Sequence, residues 1–316
     1  MIEVDNLHKH FGTKIAVDGV SFTVNKGEVL GFLGPNGAGK STTMRMITGY
    51  MPPSKGRVTI GGADIEEDDI AAKSKIGYLP EAAPLYSDMT VEGFLRFAAE
   101  MRGVPSNKLT EAVDKAIETT FIERVRHQSI DTLSKGFRHR TCFAQSIIHD
   151  PEVLILDEPT DGLDPNQKNE VRQLIRRMGK DKAIVFSTHI LEEVEASCTR
   201  AIIIDRGKII ADGTPDELKG RAANAGSVRL RATGLAGSGI KQELEKLDGA
   251  KSVESLESSD NGITARILPA KGKANGLGAE VYNLCRDKDY TIEELRVEEG
   301  RLDELFREIT KSDNED

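Results

Sequence analysis

Polar and apolar residues alternate in short runs at the start of the chain. Residues 2–24 carry IEVDNL and KIAVDGVSFTV, the two-residue period of half-buried strands. The breaks at Phe11-Gly12-Thr13 and Asn25-Lys26-Gly27 make the pair antiparallel. A continuous apolar run, EVLGFL at residues 28–33, then enters a glycine-rich stretch, and TTMRMITGY follows with helical spacing. From about Thr90 to Leu133 apolar positions recur every three or four residues with almost no strand signal. That spacing predicts a helical insert over residues 90–140. VLILDE at 153–158 and AIVFSTH at 183–189 read as buried strands separated by the helical NQKNEVRQLIRRM, and AIIIDRGKIIADG reads as a hairpin. Strands and helices in alternation, with apolar strands, predict a largely parallel sheet and an α/β fold.

Near residues 219–226 the composition turns small and polar, KGRAANAG, and the pattern restarts. SVRLRA, IKQELEKL, KSVESLES, GITARILP, AEVYNLCRD and YTIEELRVEEG alternate as β-α-β-β-α-β, the split order of ferredoxin-like domains. RLDELFREIT adds a closing helix. The expected organisation is a first domain over residues 1–220, a small α+β domain over 226–311, and a charged tail, 312–316, without order. Glu293, Glu294, Glu298 and Glu299 read as a solvated strand face and turn, because no His or Cys converges with them. No internal repeat is visible.

Composition narrows the class. With 38% hydrophobic and 30% charged residues in a chain of 316, a substantial core is available. No apolar run approaches the roughly 18 to 20 residues of a membrane span. The start, MIEVDNLHKH, lacks a signal core, so the cytoplasm is the expected compartment. Cys142, Cys198 and Cys285 are scattered and odd in number, as suits reduced thiols rather than a disulfide frame. Lys and Arg number 43 against 52 Asp and Glu, a net charge of −9, and there is no Trp. Nucleic-acid binding is not expected from that balance.

The chemistry is concentrated in two places. Gly34-Pro35-Asn36-Gly37-Ala38-Gly39-Lys40-Ser41 has the form G-x-x-x-x-G-K-S between a strand and a helix, with Thr42 continuing into that helix. Glycines let backbone amides wrap a triphosphate, and the helix start adds unpaired N–H groups and its positive end. Lys40 would hold the β- and γ-phosphates of that triphosphate, and the Ser41 hydroxyl would ligate Mg2+. The second place is the end of VLILDE, where a buried strand emerges in two carboxylates. Asp157 would complete the Mg2+ site, directly or through water, and Glu158 would polarise the attacking water. Together these residues describe a P-loop NTPase core.

The segment Leu133-Ser134-Lys135-Gly136-Phe137-Arg138-His139-Arg140, which opens a helix shortly upstream of the acidic strand, resembles the signature motif of ABC ATPases. The resemblance covers residues 1 to about 220. It implies that Ser134 and Gly136 face the γ-phosphate held by a second copy, so that a homodimer sandwiches two ATPs. It implies that Asp161-Gly162-Leu163-Asp164-Pro165 is the loop crossing that interface, with Asp164 linking the sites. His189 would be the switch histidine on the γ-phosphate, and Phe11 the aromatic stacked on adenine. Glu81, in GYLPEAAPLY, stands where most members have Gln, at a loop that reaches Mg2+ and the transmembrane partner. Lys135 and Phe137 replace the usual Gly and Gln of the signature, and His139 stands where Gln is common. The wording is most similar to the ABC-2 exporter branch, which includes ATPases of gliding motility, drug export and copper-site maturation, and which often carries a small C-terminal extension.

The implied molecule is a Mg2+-dependent, transport-coupled ATPase, peripheral on the inner face of the cell membrane. A separate integral membrane permease would dock near residues 81–86. The second domain is expected to serve interaction or dimer stability. A P-loop kinase would not need the signature helix. A non-transport ABC ATPase acting on DNA or ribosomes, the serious alternative, usually brings paired ATPase domains or long coiled coils. A binding-only regulatory subunit would be expected to lose Glu158 or His189.

Overall fold

A computed structural model describes residues 1–82, 84–234, 237–259 and 262–310; the tail at 312–316 lies outside them. The chain divides into two compact units, Met1–Pro215 and Asp216–Asp316.

In the first unit, β1 (Ile2–Phe11) and β2 (Lys14–Val24) pair antiparallel, Val4 against Phe22. Alternation puts Ile2 and Val4 inward, and an irregularity between Val4 and Leu7, where Asn6 takes φ 46°, turns Leu7 inward as well. β3 (Val29–Leu33) is buried at every residue, as a strand covered on both faces must be. After it come α1 (Lys40–Ile47), β4 (Lys55–Ile60), β5 (Ala63–Asp64), α2 (Asp69–Ser74) and β6 (Ile76–Leu79). The insert contains α3 (Val91–Met101) and α4 (Leu109–Thr119), and α5 (Lys135–Ile147) follows. β7 (Val153–Asp157), α6 (Pro165–Met178), β8 (Ala183–Thr188), α7 (Leu191–Ser197), β9 (Arg200–Asp205) and β10 (Lys208–Gly213) complete the unit.

Two sheets result, β2-β1-β4-β5 and β10-β9-β3-β8-β7-β6. The second is parallel from β9 to β6, with β10 added antiparallel. One core lies between the sheets, around Val4, Phe22, Phe32, Met44 and Ile155. Another joins β7 and β8 to α5 and α6 through Leu154, Phe143, Leu174 and Phe186. The insert has its own core, in which Phe94 and Leu95 of α3 meet Val113 and Ile117 of α4. Residues 55–79, which carry no clear period, supply β4 and β5 to the first sheet and β6 to the second.

In the second unit, α8 (Pro215–Lys219), at whose first residue the division falls, precedes the alternating pattern. There follow β11 (Val228–Thr233), α9 (Gly237–Leu244), β12 (Ala250–Ser259), β13 (Gly262–Pro269), α10 (Leu277–Asp287), β14 (Thr291–Val297) and α11 (Leu302–Ile309). The antiparallel sheet runs β12-β13-β11-β14, the ferredoxin-like order. Its inward residues Val228, Leu230 and Ala265 pack on Ile240, Leu244 and Val281 of the helices. Glu293 and Glu294 pair across the sheet with Arg231 and Arg229 at 2.8 and 3.9 Å. Glu298 departs from the solvated face expected of it. It is half-buried, and it accepts from Ser227 Oγ at 2.9 Å and Arg266 Nε at 2.6 Å, because it leaves the strand end beside β13.

All three thiols are free. No helix among the described residues is long and apolar enough to cross a membrane.

Packing of β6 under α5 depends on Gly77. A Cβ there would lie 2.1 Å from the Ser146 carbonyl oxygen and 2.7 Å from Leu154 Cδ2. Gly77→Val is therefore expected to destabilise the chain by about 3 kcal/mol or more, read as a lower denaturant midpoint at constant slope. A midpoint equal to that of the parent would contradict this packing.

Candidate functional site

The site forms where β3 and β7 end. β3 is apolar to Leu33 and gives way to the loop Gly34–Gly39, which leads into α1. Gly39 caps α1 at φ 107°, and a Cβ on it would fall 2.5 Å from the Ala16 carbonyl oxygen of β2. Only glycine satisfies both the left-handed backbone and that close approach. α1 has no side-chain cap and no acid in its first turn, so its first N–H groups and positive end suit an anion held in the loop. Pro35, Asn36, Gly37 and Ala38 form the turn, closed by a bond from Ala38 N to Pro35 O at 3.2 Å. Thr42 is half-buried in the first helical turn.

Lys40 is buried, and its ammonium donates to the carbonyls of Gly34 at 2.7 Å and Pro35 at 3.1 Å. Burial lowers its pKa, against the opposing pull of Glu158, Asp157 and Glu81. All three acids therefore act on this one ammonium through their charge. Glu81 is itself exposed.

β7 is buried from Val153 to Asp157 and lies in parallel register with β8, Asp157 opposite Ser187. Asp157 Oδ1 accepts from Ser187 Oγ, and also from Ser41 Oγ at 3.2 Å. Asp157 is 1% exposed, and its Oδ2 is buried without a hydrogen-bond partner. An orphaned carboxylate oxygen beside a serine hydroxyl at the mouth of the loop suits a hard cation that takes oxygen ligands. The donor set fits Mg2+.

Glu158 follows at φ 51°, in the left-handed region that a residue of this type rarely occupies. That turn directs its amide to Ser187 Oγ at 3.0 Å. His189 Nδ1 lies 3.1 Å from both Glu158 oxygens. A carboxylate only accepts, so Nδ1 carries the proton. Burial raises the Glu158 pKa above its usual value, the bond and charge of His189 drawing it partly back. Ser187 was not singled out by the sequence. Its hydroxyl serves both acids, and the available signal was a Ser-Thr pair ending an otherwise apolar strand.

Ser134, Gly136 and Asp164 form a second group, around the starts of α5 and α6. Ser134 caps α5, accepting from Phe137 N at 3.4 Å, and Asp164 caps α6, accepting from Gln167 N at 2.9 Å. A Cβ at Gly136 would lie 3.0 Å from Gln167 Oε1. Lys135 pairs with Asp161 at 2.8 Å, which holds the Asp161 carboxyl below its ordinary range. Phe137 packs on the insert core with the Arg124 guanidinium 4.4 Å over its ring. His139 is buried with both ring nitrogens unpartnered, and burial lowers its pKa to about 4, so it is neutral. Phe11 is not a core residue: its ring, at the end of β1, is 47% exposed, with the Lys9 ammonium 5.4 Å from its centroid.

The chain is similar to proteins of one family. The ABC transporter family profile matches residues 17–161. The linearmycin resistance ATP-binding protein LnrL of Bacillus subtilis (strain 168) is 36% identical over 236 residues, 74% of this chain and 76% of that protein. The Nod factor export ATP-binding protein I of Ralstonia nicotianae is 36% identical over 219 residues, 69% of this chain and 68% of that protein. A solved ATP-binding subunit of an ABC transporter superposes with a TM-score of 0.65 at 30% identity, over 69% of this chain and 92% of that one. The chain belongs to the ABC transporter family, as an ATP-binding subunit.

Proposed function

We propose that two copies of this chain close around two ATP molecules, hydrolyse them with Mg2+, and drive export through an integral membrane permease from its cytoplasmic face. The observation carrying this reading is the convergence of Lys40, Ser41, Asp157 and the Glu158–His189 pair at one loop mouth. The names of two relatives, a drug-resistance protein and an export protein, support the direction.

Lys40 and the N–H groups at the start of α1 bind the phosphates. Ser41 and Asp157 Oδ2 would hold Mg2+, with Glu81 as a further oxygen donor, and the ion when bound neutralises phosphate charge. Glu158 orients and polarises the attacking water, and His189 fixes the Glu158 carboxylate through the two 3.1 Å contacts. Phe11 offers an exposed ring to adenine. Ser134 and Gly136, at the capped start of α5, face the phosphates of the other copy, and Asp164 lines the same interface. The second unit, whose charged sheet residues pair with one another, is assigned an interaction role.

A patch of exposed apolar residues supports the permease contact. Tyr86 stacks edge-on against Phe94 and Phe97, with ring centroids 6.1 and 5.7 Å apart. Phe97 and Met101, four residues apart on α3, share a face and are 37% and 71% exposed. Arg102, next on the chain, donates to the Lys73 carbonyl at the end of α2, a helix on which Ile70 is 81% exposed. Exposed aromatics of this kind are typical interface anchors.

Glu158→Gln should keep ATP binding and lose turnover by about 10²- to 10⁴-fold, leaving an ATP-dependent dimer detectable by size-exclusion chromatography. A monomer at saturating ATP and Mg2+ argues against the sandwich. The ionised form of Glu158 is the active one, and burial raises its pKa. The acid limb of kcat/KM therefore lies above pH 4.5, activity falling as pH drops through it. His189→Ala removes a bond that lowers this pKa and should move the limb further up; a shift downward contradicts the assignment. Tyr86→Ala with Phe97→Ala should reduce co-purification with the permease about tenfold or more while intrinsic ATPase activity stays within about twofold. Undiminished co-purification would place the contact elsewhere.

A further inference from the structure

We propose that Glu193 is a positioning residue for hydrolysis, its buried carboxylate tying together the two loops that carry Glu158 and His189. Glu193 is 1% exposed in the first turn of α7. Its oxygens are spent on side chains from elsewhere. Thr160 Oγ1 donates to Oε1, and Thr188 Oγ1 donates to Oε2 at 2.7 Å. Thr160 stands two residues after Glu158, and Thr188 stands immediately before His189. Both threonines are buried, and Thr188 Oγ1 also accepts from Ile190 N at 3.0 Å, on the far side of His189. The path Glu158, Thr160, Glu193, Thr188, His189 thus closes into a ring through the contact between His189 and Glu158.

Stability alone does not account for this carboxylate. Its nearest cation, Arg172 of α6, is 3.7 Å away, and burying a carboxylate without a close, well-matched ion pair costs several kcal/mol. An apolar side chain of similar size would fill the space more cheaply. What an apolar residue cannot do is fix two hydroxyls from two loops at once. A displacement of about 1 Å at a catalytic pair can cost on the order of 100-fold in rate, so a tether of this kind acts on kcat and leaves the phosphate loop, and with it ATP affinity, untouched.

This inference rests on hydrolysis at Glu158. The test is steady-state ATP turnover by the full-length chain for Glu193→Gln, Thr160→Val, Thr188→Val, the Thr188→Val/Glu193→Gln double variant and Glu158→Gln, with folding checked by circular dichroism. Glu193→Gln should lower kcat about tenfold or more with KM for ATP within about twofold, and each threonine variant about threefold or more. The double variant should be no more than about twofold slower than Glu193→Gln, because Thr188 acts through Glu193. Full activity of Glu193→Gln beside an inactive Glu158→Gln overturns the inference alone, as does a KM that rises in step with the loss of kcat, or additive losses in the double variant. An active Glu158→Gln overturns the hydrolysis reading itself and this inference with it. If Glu193→Gln does not fold, the two threonine variants decide, and parent rates in both overturn the tether.

Discussion

Burying a carboxylate is costly unless its oxygens find partners, and Asp157 is placed under that constraint. Four apolar residues of β7 carry it into a position 1% exposed to solvent, where an unpaired charge would cost several kcal/mol. The parallel register of β7 and β8 sets Ser187 opposite it and the loop at the end of β3 brings Ser41 beneath it. These two hydroxyls serve Oδ1 alone. The remaining oxygen, Oδ2, is buried with no hydrogen-bond partner, so the desolvation cost of the site rests on one atom of one side chain.

From that point the rest of the site follows by chain geometry. The strand must end after Asp157, and it does so in a left-handed turn at Glu158 that returns its amide to the same Ser187 hydroxyl. Strain of this kind, of order 1–3 kcal/mol, persists only where neighbouring contacts over-determine it. Here the contacts are Ser187 behind the backbone and His189 in front of the carboxylate. Lys40 contributes the opposite charge without being consumed by it. Its hydrogens go to loop carbonyls, not to Asp157 or Glu158, so phosphate binding does not have to break a strong ion pair first.

Much of this was legible in the residues, for reasons of length and period. The phosphate loop sits between a strand and a helix whose patterns are unambiguous, and the pair of acids ends an apolar strand five residues long. The helical insert and the split order of the second unit show through because each of their elements runs long enough to display its period. β4, β5 and β6 do not, with six, two and four residues broken by charges and glycines. Ser187 was hidden for a different reason. Its part depends on register against β7, and no local pattern encodes which residue of one strand faces which of another. The conformation of Glu158, and the ion pair that draws Glu298 inward from the sheet face, are likewise products of contacts made far along the chain.

The departures from the family's signature acquire physical meaning once their neighbours are known. Phe137 takes a packing position on the insert beneath Arg124, which fixes the start of α5 to the helices it belongs with. His139, neutral and buried, behaves as a space-filling residue of the same helix. Lys135 acts in the other direction, joining α5 to the loop of Asp161 on the way to α6. Both partners are exposed, Lys135 at 67% and Asp161 at 49% of the side chain, and a surface pair of this type contributes about 0–1 kcal/mol. The signature turn is therefore held firmly to the insert and only weakly to the loop that follows Asp157 and Glu158. An element bound in that way can shift with the insert at small cost, because the charge contact it would lose to that loop is a surface one.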